Sequence, residues 1–369
     1  MTWLLLFAFT ALVVLLPLLP AIVEWHRPSD AAPLHIDTHD ALDPPFLARS
    51  FAARLAATLA VGQTQLGRSP IADAPPHADW PLTAGERRAA TSRRVWHAAG
   101  DAELPAEISF LAEVAAHGTL RTAAGGVYRA LWAGSRLQLA PHSSVLRWAH
   151  GAQVDVGPGC RLIGRVSADD SITLRSDTSF TLLHAPTVRF GPGRSGAVAA
   201  ETGVFRLGLP DAVAWDAAAA RGTCDESLDL GAHRTWRGDL VCRGDLLLGM
   251  NCNAHGSLKA HGDITAAAGS VIAGSMIAQG GITLGTGCVV RGSVISETEI
   301  VLGIGCVVGA PGHPATVAAP SIRVASGAVV YGTLWAGEAG RTQDDAVAHE
   351  MAEPGASAFR DTLAFEATA

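Results

Sequence analysis

His313 is the side chain whose setting best suits chemistry. It lies in Ala310-Pro311-Gly312-His313-Pro314, which reads as a loop, and an imidazole there is a candidate general base, with His255 and His261 behind it. His255 and His261 are one six-residue block apart and fall on adjacent faces of the fold expected below, which argues against a metal pair. His35-x-Asp37-x-His39-Asp40 brings ligand types together at short spacing, but no cysteine and no upstream strand pattern accompanies it. Cys252, Cys288 and Cys306 read as small buried hydrophobes rather than as disulfide partners, with Cys288 and Cys306 stacked on consecutive turns. No Ser-His-Asp motif with its context, no P-loop and no dinucleotide-binding glycine motif is present. The expectation is therefore no cofactor, no metal site and no catalytic residue, with His313 as the exception if the chain is an enzyme.

The element that must position these residues is a hexad repeat running from Gly238 to Gly309. Its third positions include Leu240, Leu246, Cys252, Leu258, Ile264, Met276, Ile282, Cys288, Val294, Ile300 and Cys306, and its fifth positions are mostly small or aliphatic. Alternate side chains of a strand share a face, so positions three and five point the same way. A repeat that cannot bury its apolar face alone must stack on its neighbours. Three hexads then close one triangular turn of about 18 residues, visible as Gly244-Asp245-Leu246 recurring at Gly262-Asp263-Ile264. Glycine at position one suits a corner because it tolerates positive φ. The expected fold is all-β, a β-helix solenoid with an N-terminal transmembrane helix.

The pattern returns more weakly upstream, where Val154-Asp155-Val156 and Ile172-Thr173-Leu174 are 18 apart. Val127-Tyr128-Arg129-Ala130-Leu131-Trp132-Ala133-Gly134 nearly repeats at Val330–Gly337. This predicts a first block over 106–190, a loop over 191–227, a second block over 228–340 with an extruded loop at 310–320, and a mobile tail over 341–369. Residues 25–105 read as a linker with an amphipathic helix around Pro45–Val61, carrying Phe46, Leu47, Phe51, Leu55 and Leu59 on one side.

Thr2 to Val23 is an unbroken apolar run bracketed by Trp3 and Trp25, which predicts an uncleaved membrane anchor over 1–24. Basic residues follow the run at Arg27, Arg49, Arg54 and Arg68 and none precedes it, which places the body in the cytoplasm of a single-pass inner-membrane protein. The net charge is −7 and no basic stripe with interleaved aromatics appears, which excludes nucleic acid as the expected partner. Position four of the hexads points outward, yet it carries Val271, Ile277, Val289, Ile295, Val301 and Val307. An apolar outer surface of this kind marks a contact, filled by the N-terminal helix or the 191–227 linker, or by another copy or a membrane-bound enzyme.

Hexads such as Gly256-Ser257-Leu258-Lys259-Ala260 and Gly262-Asp263-Ile264-Thr265-Ala266 resemble those of the bactofilins, the polymer-forming cytoskeletal proteins. The resemblance covers 238–309 and, more weakly, 118–180. It implies a right-handed β-helix that associates end to end into nucleotide-free polymers, a non-catalytic scaffold at the bacterial inner membrane serving envelope or polysaccharide assembly. Bactofilins are commonly shorter, with one compact β-helical domain. The repeats at Ile282–Gly287 and Ile300–Gly305 are also similar to those of left-handed β-helix acyltransferases, whose histidine general base His313 would supply.

Overall fold

The computed structural model describes residues 2–26, 43–77, 79–191 and 206–343, in two compact units, 1–42 and 43–369. In the first unit the apolar run is divided. Helix α1 spans Thr2–Leu15, a 3-10 turn spans Leu16–Leu18, and helix α2 spans Leu19–His26. Pro17 has no N–H to continue the α-helical ladder, so the run breaks there. The longer piece, 14 residues, is roughly 21 Å long, against a hydrocarbon core of roughly 30 Å. No helix among the described residues is long and apolar enough to cross a membrane. This corrects the expected anchor over 1–24 and, with it, the single-pass inner-membrane placement.

The second unit is a β-solenoid of about 13 turns with about 18 residues per turn. Each turn has three faces. In the second block the inward columns are Trp236, Ala254, Ile272, Val290 and Val308 on one face and Leu240, Leu258, Met276 and Val294 on the next. Leu246, Ile264, Ile282 and Ile300 line the third. All of these are buried, so the core is a stack of like residues in parallel register.

The corners explain the hexad signature. At two of the three corners, the Asp or Ser at position two accepts the backbone N–H of its counterpart one turn later. Asp245 takes Asp263 N at 2.9 Å, Asp263 takes Gly281 N at 2.7 Å, and Ser275 takes Ser293 N at 3.1 Å. From Gly244 onward the preceding glycine is needed for close approach, not for positive φ: a Cβ on Gly256 would lie 2.2 Å from the carbonyl oxygen of Gly238. Positive φ belongs to the remaining corner, as at Gly287 with φ 67°.

That corner also carries a column of small donors. Cys252, Ser270, Cys288 and Cys306 donate to the carbonyls of Gly231, Gly249, Ala267 and Gly285, at 3.1, 3.1, 3.2 and 3.0 Å. Cys160 plays the same part in the first block, reaching Ala140 O at 3.3 Å. All six cysteines are free and buried. Burial pushes the Cys160 and Cys252 thiols up, which keeps them protonated as donors. Ser270→Ala should cost about 1–3 kcal/mol by leaving the Gly249 carbonyl bare. Chemical denaturation should show Ser270→Cys recovering most of that loss; equal losses in both variants would mean the donor is dispensable.

The first block begins earlier than its repeat suggests. Its turns start at Ser69–Asp73, which pairs in parallel with Val95–Ala98, inside the expected linker over 25–105. The step from one turn to the next varies along the strands, as in Ser144↔Arg161 at 17, Gln153↔Ser171 at 18 and Ser171↔Thr187 at 16, and this irregularity hides the period from simple inspection.

The two blocks form one stack, but not by continuation. Ser179–Phe190, the last turn of the first block, pairs antiparallel with Val329–Thr342, the last turn of the second, in the register Leu183↔Leu334 and Val188↔Val330. Chain direction therefore reverses at the junction, and the two C-terminal ends seal each other. Thr342 locks the seam, accepting Thr178 N at 2.8 Å and donating to Arg175 O at 3.0 Å. His184 and Thr333 add a side-chain bond of 2.9 Å across it.

The N-terminal end of the first block is plugged by Trp80, whose ring centroid is 4.6 Å from Trp96 and 5.4 Å from Phe110. Its indole N–H donates to Glu103 O at 2.8 Å, on the edge of the first turn. Helix α3, Phe46–Ala60, lies on the flank of this block. Its spacing puts Ala48, Phe51 and Leu55 on one side, buried against Val95, Ala112, Ala115, Ala130 and Trp148. Arg49 of this helix reaches Asp43 at 3.2 Å.

Candidate functional site

His313 lies where the sequence places it, on an exposed loop. The loop exists because Val294↔Val317 is a 23-residue step where the preceding pair of the same column, Met276↔Val294, steps by 18. Backbone bonds between Ala310 and His313, at 3.1 and 2.9 Å, close the loop. Among the described residues the His313 ring has no hydrogen-bond or ion-pair partner to orient it as a base, and His255 and His261 stand exposed on separate strands or corners. No group of three or more His, Cys, Asp or Glu among the described residues could hold a metal ion. His35, Asp37, His39 and Asp40 lie outside the described residues, as does most of the 341–369 tail.

The outward column Val271, Val289 and Val307 forms in register and is half-buried. Ile277 and Ile295 form the second column and are 41% and 40% exposed. Val301 departs from the expectation: it is 7% exposed, flanked in register by Thr283 and Arg323.

Sequence inspection misses one constellation. His150 Nδ1 is 2.9 Å from Ser167 Oγ, and His150 Nε2 is 3.6 Å from Asp169 Oδ2. The three are separated by 17 and 2 residues, and stacking one turn on the next sets His150 beside Ser167. The only signal in the chain is that 17 residues is one turn of this block. Burial lowers the His150 pKa and the nearby Arg49 guanidinium lowers it further, while Asp169 opposes both, so the ring stays neutral and can hydrogen-bond Ser167 in either sense. These are the groups of an activated nucleophile. Access decides against catalysis: His150 is 4% and Ser167 3% exposed, and Arg49 of α3 lies 3.8 Å from Asp169 above them. A substrate carbonyl has no approach to the hydroxyl, so the arrangement serves as a polar tie beneath the docked helix.

The N-terminal end of the second block has a different character. Its first strands are Arg206–Leu207 and Ala214–Asp216, the second running antiparallel to Arg221–Cys224 and exposed throughout. Leu209 and Val213 turn inward, where they would contact any side chain added at Gly222. A cleft of about 440 Å³ opens beside them, lined by Pro210, Asp211, Trp215, Trp236 and Arg237. Trp236 is 3% exposed, and among the described residues its indole N–H has no hydrogen-bond partner. Trp215 is 48% and Leu207 86% exposed. This arrangement can receive an extended segment or a flat apolar group.

Compared with known proteins, the chain matches no family model, no curated protein and no solved structure.

Proposed function

We propose that this chain is a non-catalytic solenoid scaffold that joins copies of itself through the N-terminal end of its second block. The observation that carries the reading is the unequal treatment of the block ends. Both C-terminal ends are consumed at the antiparallel seam. The N-terminal end of the first block is plugged by Trp80. The N-terminal end of the second block presents an exposed edge strand, Trp215 and Leu207. Unpaired strand edges template further pairing. The hexads that resemble those of bactofilins support self-association, but the geometry changes its outcome. Growth of a filament needs two free ends, whereas one end meeting its own copy closes at a two-fold dimer.

Sedimentation of the full chain, with negative-stain microscopy and no nucleotide, tests this. The expected species is a dimer that dissociates at least 10-fold more readily when Trp215→Asp and Leu207→Asp are introduced, with circular dichroism unchanged. A monomer at every concentration would sink the reading. Filaments unaffected by the two substitutions would move self-association to the flanks of the solenoid.

A further inference from the structure

Three histidines share one outward column of the first block, on the flank where α3 sits. In register along the stack stand His97, Ala115, Trp132, His150, Ser167 and His184. The column meets the second block at Thr333. Ala115 is buried beneath α3, and Trp132 packs against the same cluster. In the neighbouring column Phe51 of α3 lies against Trp148, with ring centroids 5.4 Å apart.

A chain of charges joins the start of α3 to this column. Asp43, just before the helix, meets Arg49 at 3.2 Å, and Arg49 meets Asp169 at 3.8 Å. Asp169 Oδ2 is in turn 3.6 Å from His150 Nε2. Each ring is also tied to a hydroxyl, His150 Nδ1 to Ser167 and His184 Nδ1 to Thr333, both at 2.9 Å. From the α3 side, the charges of Asp43 and Arg49 both act on His184. Arg165, in register with Trp148, adds a second guanidinium to this surface. His97, farther along the column, faces Asp73 and His117. With neutral rings, the carboxylates of Asp43 and Asp169 balance the guanidiniums of Arg49 and Arg165. A proton on His150 puts a second cation beside Arg49 on the one carboxylate that Arg49 uses, in a place largely closed to water.

Burial holds both imidazoles below the ordinary 6.5. Arg49 lowers them further, and the opposing carboxylates, Asp169 at His150 and Asp43 at His184, do not restore them. With the helix lifted, water reaches the rings and they take protons more readily. A histidine lowered on docking contributes fully above its ordinary value, and that contribution is lost as pH falls below about 6.5. The window lies above the one in which Glu86, lowered from 4.5 to about 2, is discharged.

We propose that α3 is a pH-released clasp, seated while His150 and His184 are neutral and lifted when they take protons, which uncovers Ala112, Ala115, Ala130 and Trp148. The device is separate from the end that the dimer uses, so the two ideas stand or fall independently.

Hydrogen exchange of the full chain, corrected at each pH for the intrinsic rate, reads the seating of the helix. Protection over Phe46–Ala60 should fall at least 10-fold between about pH 7.5 and about pH 5.5, while Leu258–Ala260 keeps its protection. With His150→Gln and His184→Gln together, the side chains can still bond Ser167 and Thr333 but cannot ionise, and protection of the helix should be the same at both pH values. Each single replacement should remove about half of the pH dependence on a logarithmic scale, which tests the idea should the double variant not fold. Helix protection that acid leaves unchanged in the wild type would overturn the proposal. So would an undiminished acid loss in the glutamine variants, which would assign release to the carboxylates instead.

Discussion

Leu334→Ala should destabilise the protein by about 2–5 kcal/mol, the range for removing a fully buried leucine that cannot be repacked. Leu334 is 0% exposed and sits in the seam, between Leu183 of the first block and Val317 of the second. The position matters more than the size of the effect. In a solenoid each turn contacts only its neighbours, so damage normally stays local and spreads along the stack by nearest-neighbour coupling. Here the neighbours on either side belong to different blocks. Native-state hydrogen exchange should therefore show faster opening on both sides, over Ser179–Phe190 and the turn behind it, Arg161–Leu174, and over Ala315–Val324. Loss of protection confined to the second block would mean that the blocks fold as independent units and that the antiparallel pairing adds little. A matched substitution far from the seam, Leu258→Ala, should leave Arg161–Leu174 untouched.

Trp80→Ala should cost about 3–5 kcal/mol and open the N-terminal end of the first block. The indole fills the mouth of the solenoid against Trp96 and Phe110, and its N–H is the partner of the Glu103 carbonyl. Beside it, helix α4, Ala84–Ala89, is held by a reciprocal cap in which the Thr83 hydroxyl accepts Glu86 N and Glu86 accepts Thr83 N. Arg94 ties this cap to the solenoid, meeting Glu86 at 2.5 Å and lying 4.4 Å over the Trp96 ring. Burial pushes the Glu86 carboxyl up, but hydrogen bonds from Arg94, the Thr83 backbone, Ser92 and the Thr83 hydroxyl outweigh it and hold the pKa at about 2, against an ordinary 4.5. A carboxyl lowered on folding stabilises fully above its ordinary value, and that contribution is lost as pH falls from about 4.5 through about 2. Wild-type protein should lose this cap on acidification in that window, and Glu86→Gln should start weaker and show a flatter acid limb. Dimerisation through the newly opened end in Trp80→Ala, read by sedimentation, would show that the plug also guards against association.

The pattern of six was enough to specify a β-solenoid and its inward residues, because every turn meets the same local demands. Leu258 stacks on Leu240 and Met276 on Leu258, as their positions in the hexads require. The Gly-Asp and Gly-Ser pairs belong to the same local logic, each side chain taking an N–H 18 residues on. The chemistry of the remaining corner was only half legible: the cysteines were recognisable as buried, but their service to carbonyls 21 residues earlier depends on how one turn sits on another. The apolar run at the N-terminus shows the limit of composition, since the backbone break at Leu16–Leu18 leaves no helix of spanning length.

What the sequence determined by itself, then, was the repeating unit: its strands, its corners and the direction of its side chains. Tertiary structure alone decided how the stack ends. The antiparallel seam joins Thr178 to Thr342, 164 residues apart, and no periodic signal encodes a reversal of chain direction. The same holds for α3 on its flank and for His150 beneath it, whose partners are chosen by docking rather than by spacing. The physical reason is that a periodic sequence offers the same contact at every turn, so where it stops, reverses or is covered depends on the few aperiodic residues that meet only once the turns are built.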